Sequence, residues 1–117
     1  MRDYVSACRV PLIDIDGTPV PRLILGHLPF IGESYQGEKR NREYEVRFTD
    51  VKNTVSVMRM AVERFGVTVF AASAYIENKL SIRFFEALKK TVDVTGVNIA
   101  LIPCLRIPLT IRSEPIN

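Results

Sequence analysis

Apolar residues in this chain recur in two rhythms, and each predicts a kind of element. Over 51–65 they return by steps of four and three, at Val51, Val55, Met58, Val62 and Phe65, while Lys52, Ser56, Arg59 and Glu63 fall on the other side. That is the pattern of an amphipathic helix. Burying five such side chains is worth about 10 kcal/mol before conformational entropy is charged, so the stripe must face a sheet. Thr49 reads as the N-cap with Asp50 against the positive end of the helix dipole, and Gly66 as the residue that ends the helix. A second helix is predicted from about Asn78 to Val94, with Leu80, Phe84, Leu88 and Val92 inward and Arg83, Glu86, Lys90 and Asp93 outward. Glu86 and Lys90 are spaced to attract one another, and Gly96 closes the helix.

Between and around these helices lie short, continuous apolar runs, Arg22 to Leu25, Val67 to Ala72 and Val97 to Ile102. Runs of this length read as strands covered on both faces, as in a parallel sheet. Each ends in a small polar cluster, at Gly26-His27, Ser73-Ala74-Tyr75 and Cys104-Leu105-Arg106. The fold class predicted is α/β, a βαβαβ parallel-sheet unit, and such sheets gather ligands at the carboxyl ends of their strands. Ahead of it, Ala7 to Ile15 and Val20 to Gly26 flank Asp16-Gly17, a dipeptide suited to a tight hairpin turn. Pro11, Pro19 and Pro21 remove ladder donors, which places this N-terminal β-hairpin at a sheet edge or barrel end.

One α/β domain is expected over 1–117: hairpin and strand one in 1–26, a long Gly- and charge-rich loop in 27–48, an αβαβ stretch in 49–104 and a tail in 105–117 with no room for a third helix. A third parallel strand needs a neighbour, so the chain reads either as the front piece of a longer barrel or as a homo-oligomer whose partner supplies the missing layer.

The net charge of +3 adds little. The dense basic stretch Lys39-Arg40-Asn41-Arg42 is interleaved with Glu38, Glu43 and Glu45, which leaves little field for nucleic acid. No apolar run approaches the ~20 residues of a membrane helix, and the start lacks the order of a signal peptide, so a cytoplasmic protein without membrane contact is expected. Cys8 and Cys104 stand in no CxxC or Cys-His pattern, which indicates reduced thiols and no metal site.

The sequence Asp16-Gly17-Thr18, then Val20-Pro21-Arg22-Leu23-Ile24-Leu25-Gly26, then Ala61-Val62-Glu63-Arg64-Phe65-Gly66 and Val67-Thr68-Val69-Phe70-Ala71-Ala72 resembles the start of an aldo-keto reductase. That family opens with a hairpin closing the barrel bottom, a P-x-L-x-L-G-like first strand and a second strand running into F-D-T-A-x-x-Y. The resemblance covers roughly the first third of a TIM barrel and implies barrel-like architecture. It does not carry the activity. Aligning Phe70 with the motif's Phe puts Ala71 at the catalytic Asp and Ile76 at the catalytic Tyr, whereas aligning Tyr75 with that Tyr puts Phe70 at the Asp. The family's catalytic Lys has no counterpart in Ile102-Pro103-Cys104, and its later histidine and phosphate loops have no matching stretch here.

Candidate chemistry gathers at the predicted strand ends. His27 is the single histidine and the acid–base candidate by position and ordinary pKa, although a loop histidine held by a hydrogen bond has the same look. Cys104 is a weaker catalytic candidate, a nucleophile only if a neighbour such as His27 or Arg106 lowers its pKa. Ser73 and Tyr75 are candidates to bind a carbonyl or phosphate, and Arg106 to hold an anion or to pair with Glu33 or Glu77. Tyr35, Phe30 and Glu33 are read as a lid over the same mouth. Gly32-Glu33-Ser34-Tyr35-Gln36-Gly37-Glu38-Lys39 comes close to a phosphate-binding loop, but Glu38 stands where the lysine belongs. The function expected is a TIM-barrel-like protein binding a small molecule or anion at these strand ends. The alternative is a non-catalytic oligomeric interaction or assembly module, with the 105–111 tail as contact surface. The sequence names no cofactor.

Overall fold

The computed structural model describes residues 9–73 and 78–104, with the backbone of 110–111 and 114–115. Two strands come first, β1 (Leu12–Ile15) and β2 (Thr18–Pro21), paired antiparallel with Ile15 opposite Thr18. Asp16 and Gly17 both take positive φ, 52° and 85°, and the Gly17 amide donates to Asp14 Oδ2 at 3.3 Å. Two such residues in a row make the turn whose twist matches that of the strands, as the Asp-Gly pair predicts. Arg22 N donates to Pro11 O at 2.9 Å, so the alternation of the ladder puts Pro19 and Pro21 opposite Asp14 and Leu12 at positions that need no donor.

The hairpin is fastened to the rest through residues just before it. Val10 N donates to Phe65 O at 2.8 Å, and Arg9 Nη1 donates to Glu63 O, placing a cation on the last turn of a helix. Both anchors lie at the end where the following strand begins.

Strand one shrinks to a single bridge. The expected run Arg22 to Leu25 pairs only at Leu25, which lies parallel to Phe70, with Leu25 N on Val69 O and Ala71 N on Leu25 O. Its neighbour β3 (Val69–Ser73) pairs on the other side with β4 (Ala100–Cys104), also parallel, Phe70 opposite Leu101 and Ser73 opposite Cys104. The fold is therefore mixed α/β with a parallel sheet, and its three apolar stretches run in one direction.

The largest departure lies in 27–48, expected as a loop. Leu28–Ile31 is a 3₁₀ turn and Glu38–Phe48 is an α-helix, here α1. The charged residues that suggested a loop are good helix formers, and the Arg40–Glu43 pair spans one turn. A thin apolar edge sufficed to dock it, with Phe48 buried and Tyr44 packed beside the core. Because α1 runs to Phe48, Thr49 is its C-terminal residue rather than the cap of the next helix. Asp50 caps α2 (Val51–Phe65), its carboxylate accepting from Lys52 N at 3.0 Å.

Helix α3 (Lys79–Thr95) is capped by Asn78, whose side chain accepts from Leu80 N at 2.8 Å. Gly66 and Gly96 end α2 and α3 in the left-handed region at φ 68° and 69°. A Cβ on Gly66 would also meet the Arg9 guanidinium at 3.0 Å. Gly66→Ala is accordingly expected to cost about 1–2 kcal/mol, mostly for the left-handed backbone, read as a lower urea midpoint at unchanged slope.

The buried faces of α2 and α3 are rotated from the predicted stripes. Met58 and Val62 are buried as expected, but Thr54 and Ala61 join them, while Val51, Val55 and Phe65 are only half-buried. In α3 the buried set is Leu80, Ser81, Phe84, Ala87 and Thr91, with Leu88 and Val92 half-buried. Small residues, Thr54 and Ala61 on α2 and Ser81, Ala87 and Thr91 on α3, make up much of the buried faces. Thr91 shows how a hydroxyl is tolerated there: it donates to Ala87 O at 2.8 Å and lies 3.7 Å from Met58 Sδ.

Among the described residues no strand pairs with the outer edge of β4. Ala100 N donates to Thr68 O, so Ala100, Ile102 and Cys104 turn their backbone groups toward β3 and Leu101 and Pro103 turn theirs outward. The strand expected to stop at Ile102 thus continues through Pro103, which has no N–H to leave unpaired. β4 is exposed along its length. Further on, β5 (Thr110–Ile111) and β6 (Glu114–Pro115) form a short antiparallel pair.

Candidate functional site

His27 follows the Leu25 bridge and caps the 3₁₀ turn, and Ser73 is the last residue of the adjacent β3. Their side chains meet: His27 Nε2 lies 2.5 Å from Ser73 Oγ. Both residues are buried, His27 at 6% and Ser73 at 2% exposure. The backbone of each partner is held separately. Phe30 N donates to His27 O at 3.0 Å, and the Ser81 hydroxyl donates to Ser73 O at 3.4 Å, which brings the first turn of α3 against the end of β3. Asn78 Nδ2 donates to Ile31 O at 3.2 Å and ties the 3₁₀ turn to the same helix start.

The imidazole lies edge-on to Phe84, ring centres 6.4 Å apart at 65°. Burial pushes its pKa below the ordinary imidazole value, while the Glu33 carboxylate pulls the other way more weakly. The ring is neutral at pH 7. With its proton on Nδ1, Nε2 accepts from the Ser73 hydroxyl, the arrangement of a base and the group it deprotonates.

Because the folded pKa is depressed, the unfolded chain binds the proton first as pH falls. The stability held by neutral His27 is present above about pH 6.5 and is lost below it. A proton NMR titration of this single histidine is expected to give a midpoint below that of a free imidazole, and Glu33→Gln to move it lower still. A midpoint raised by Glu33→Gln would contradict the geometry.

The other predicted residues are brought together only in part. Cys104 stands opposite Ser73 on β4, a free and exposed thiol beside the pair. Glu33 is half-buried and close enough to act on His27 through its charge. The lid is not formed as expected: Phe30 is a core residue whose ring lies 4.9 Å from Phe48, and Tyr35 is 96% exposed. Phe30 lies within the apolar run Leu28–Ile31 and goes inward with it, whereas Tyr35 stands among polar neighbours. Nor does 32–39 wrap a phosphate site. Gly32 ends the 3₁₀ turn, Gly37 precedes α1, and Lys39 lies in the first turn of α1 beside a surface groove of about 850 Å³ shared with Arg42 and Arg47. Tyr75 and Arg106 lie outside the described residues, as do Glu77 and Cys8.

Sequence reasoning passed over Asn78 and Ser81 as parts of this site. The signal for Asn78 was its position one residue before a helical stripe. Ser81 gave none, because its role depends on where α3 starts against β3.

A groove of about 590 Å³ runs between α2 and α3, floored by Val51, Val55, Met60 and Val94. It is an open cleft between helices and none of the candidate residues lines it, so chemistry rather than volume marks His27 and Ser73. Among the described residues no group of His, Cys, Asp and Glu could hold a metal ion, and no helix is long and apolar enough to cross a membrane. No family model, no curated protein and no solved structure matches this chain.

Proposed function

We propose that the chain is a TIM-barrel-like α/β protein, resembling the front of an aldo-keto reductase without its hydride-transfer residues, that binds a small polar molecule at His27 and Ser73. The observation that carries this reading is the buried bond between His27 Nε2 and Ser73 Oγ at the carboxyl ends of neighbouring parallel strands. A buried polar pair at that end of a parallel sheet is where ligands of α/β proteins sit.

The charge around the pair selects the ligand. Burial keeps His27 toward its neutral form and the charge acting on it is the negative one of Glu33, so an uncharged polar ligand such as an amide or ketone is favoured over an anion. Arg106, the cation the sequence offers for an anion, lies outside the described residues. Adding N-methylacetamide is expected to shift the His27 ring signals saturably, and inorganic phosphate to shift them less. A His27 signal unmoved by either sinks the reading.

A second reading, an assembly module, is favoured by β4. Its exposed Leu101 and Ile102 would be covered in a self-associated form. Light scattering across a concentration series tests it, and a strictly monomeric mass at every concentration would dismiss it.

A further inference from the structure

We infer that Ser73 is a nucleophile, with His27 as its base, toward activated acyl esters; this rests on the site reading above and deepens it. Three arrangements around the Ser73 hydroxyl point the same way. Its oxygen is within hydrogen-bond distance of His27 Nε2, which takes its proton when the ring proton sits on Nδ1. It ends a strand whose chain leads into a helix, the strand-to-helix context in which nucleophilic serines are presented in α/β folds. The Ser81 bond to Ser73 O sets the start of α3, a 17-residue helix, against that strand end, so the positive end of a helix dipole lies near Ser73 and favours negative charge developing there.

The sequence around it, Ala71-Ala72-Ser73-Ala74-Tyr75, lacks flanking glycines, and the histidine precedes the serine in the chain. Such sites are recognised by geometry and roles, not by order. Glu33 contributes from a distance: its charge stabilises the imidazolium that forms when the proton moves. Phe84 lies edge-on to the ring on its apolar side.

The chemistry balances as ester hydrolysis in two steps. The Ser73 proton passes to His27 Nε2 as Oγ bonds to the acyl carbon. The ester C–O bond then breaks, and the leaving alcohol takes that proton. Water, deprotonated by His27, next attacks the acyl-serine carbon, and the proton returns to Ser73 Oγ as the carboxylic acid departs.

The full chain treated with a fluorophosphonate and, separately, with p-nitrophenyl acetate provides the test, read by intact mass and by fragmentation to locate the adduct. One adduct on Ser73 is expected, absent in Ser73→Ala and formed at least tenfold more slowly in His27→Gln. Circular dichroism of both variants establishes that they are folded, and the labelling rate should rise with pH through the His27 titration. No Ser73 adduct, or a rate unchanged in folded His27→Gln, overturns the proposal. If N-methylacetamide moves the His27 signals while Ser73 stays unlabelled, the binding site stands and the nucleophile falls.

Discussion

Replacing Phe84 by alanine is expected to remove about 3–5 kcal/mol of stability, the range for deleting a fully buried phenylalanine. Phe84 is 1% exposed and packs between its own helix and the 3₁₀ turn that His27 begins. Its ring centre lies 5.9 Å from Phe30 of the 3₁₀ turn, 5.3 Å from Phe85 on the same helix and 6.4 Å from the His27 imidazole. Removing it opens a cavity between α3 and the strand ends that the backbone cannot close, because Asn78 and Ser81 pin both sides. Urea unfolding should show a midpoint lower by more than about 1 M, given slopes of about 1–3 kcal/mol per M for small proteins. The same substitution hydrates His27, so its NMR midpoint should rise toward the ordinary value. Phe85→Ala, at a half-buried position, should cost clearly less. Equal losses at the two positions would mean that Phe84 is not the hub it looks to be.

The second large effect concerns α1. Arg42→Pro is expected to cost about 3 kcal/mol or more, because proline removes the Arg42 N–H from the helical ladder and its ring strikes the carbonyl of Glu38 one turn back. Arg42 is exposed, so no packing is lost with its side chain, and Arg42→Ala should change stability by no more than about 0.5 kcal/mol. The damage should spread beyond the helix. Phe48 meets Phe30 edge to face, and Asn53 Nδ2 donates to Arg47 O at 2.7 Å, so unwinding α1 loosens the 3₁₀ turn and the start of α2 together. A proline tolerated at position 42 would show that 38–48 is a loop after all.

That contest between helix and loop shows where the sequence was legible and where it was not. Elements with a broad apolar stripe and a cap could be read directly, as with α2, α3 and the Asp16-Gly17 turn. α1 could not, because its polar surface wraps most of the way round and only Tyr44 and Phe48 dock it. Its charged residues favour a helix weakly, and a partner surface of Phe30 and its neighbours makes the difference. The role of Thr49 turns on the same point. A threonine before an aspartate is a good cap in isolation, but once α1 runs to Phe48 the cap passes to Asp50.

The candidate site divides in a similar way. That polar groups collect at the ends of parallel strands follows from the order of strand and helix, and His27 and Ser73 were found by it. Which of them touch was beyond the pattern, since side chains from strands 46 residues apart in the chain meet only through the register of Leu25 on Phe70. The lid failed on a comparable point: Phe30 and Tyr35 look alike as aromatic residues in one segment, and only the space beside Phe48 and Phe84 decides that Phe30 goes in.

Local patterning by itself determined the direction of the strands, the lengths of the two amphipathic helices and the glycines that end them, because these depend on steric preferences and on burial within a few turns of chain. Tertiary structure decided the rotation of each helix about its axis, the existence of α1 and the pairing of His27 with Ser73. Those outcomes turn on how two surfaces fit together, and buried small polar residues such as Thr54, Ser81 and Thr91 take part in that fit without leaving any trace in a hydrophobic pattern.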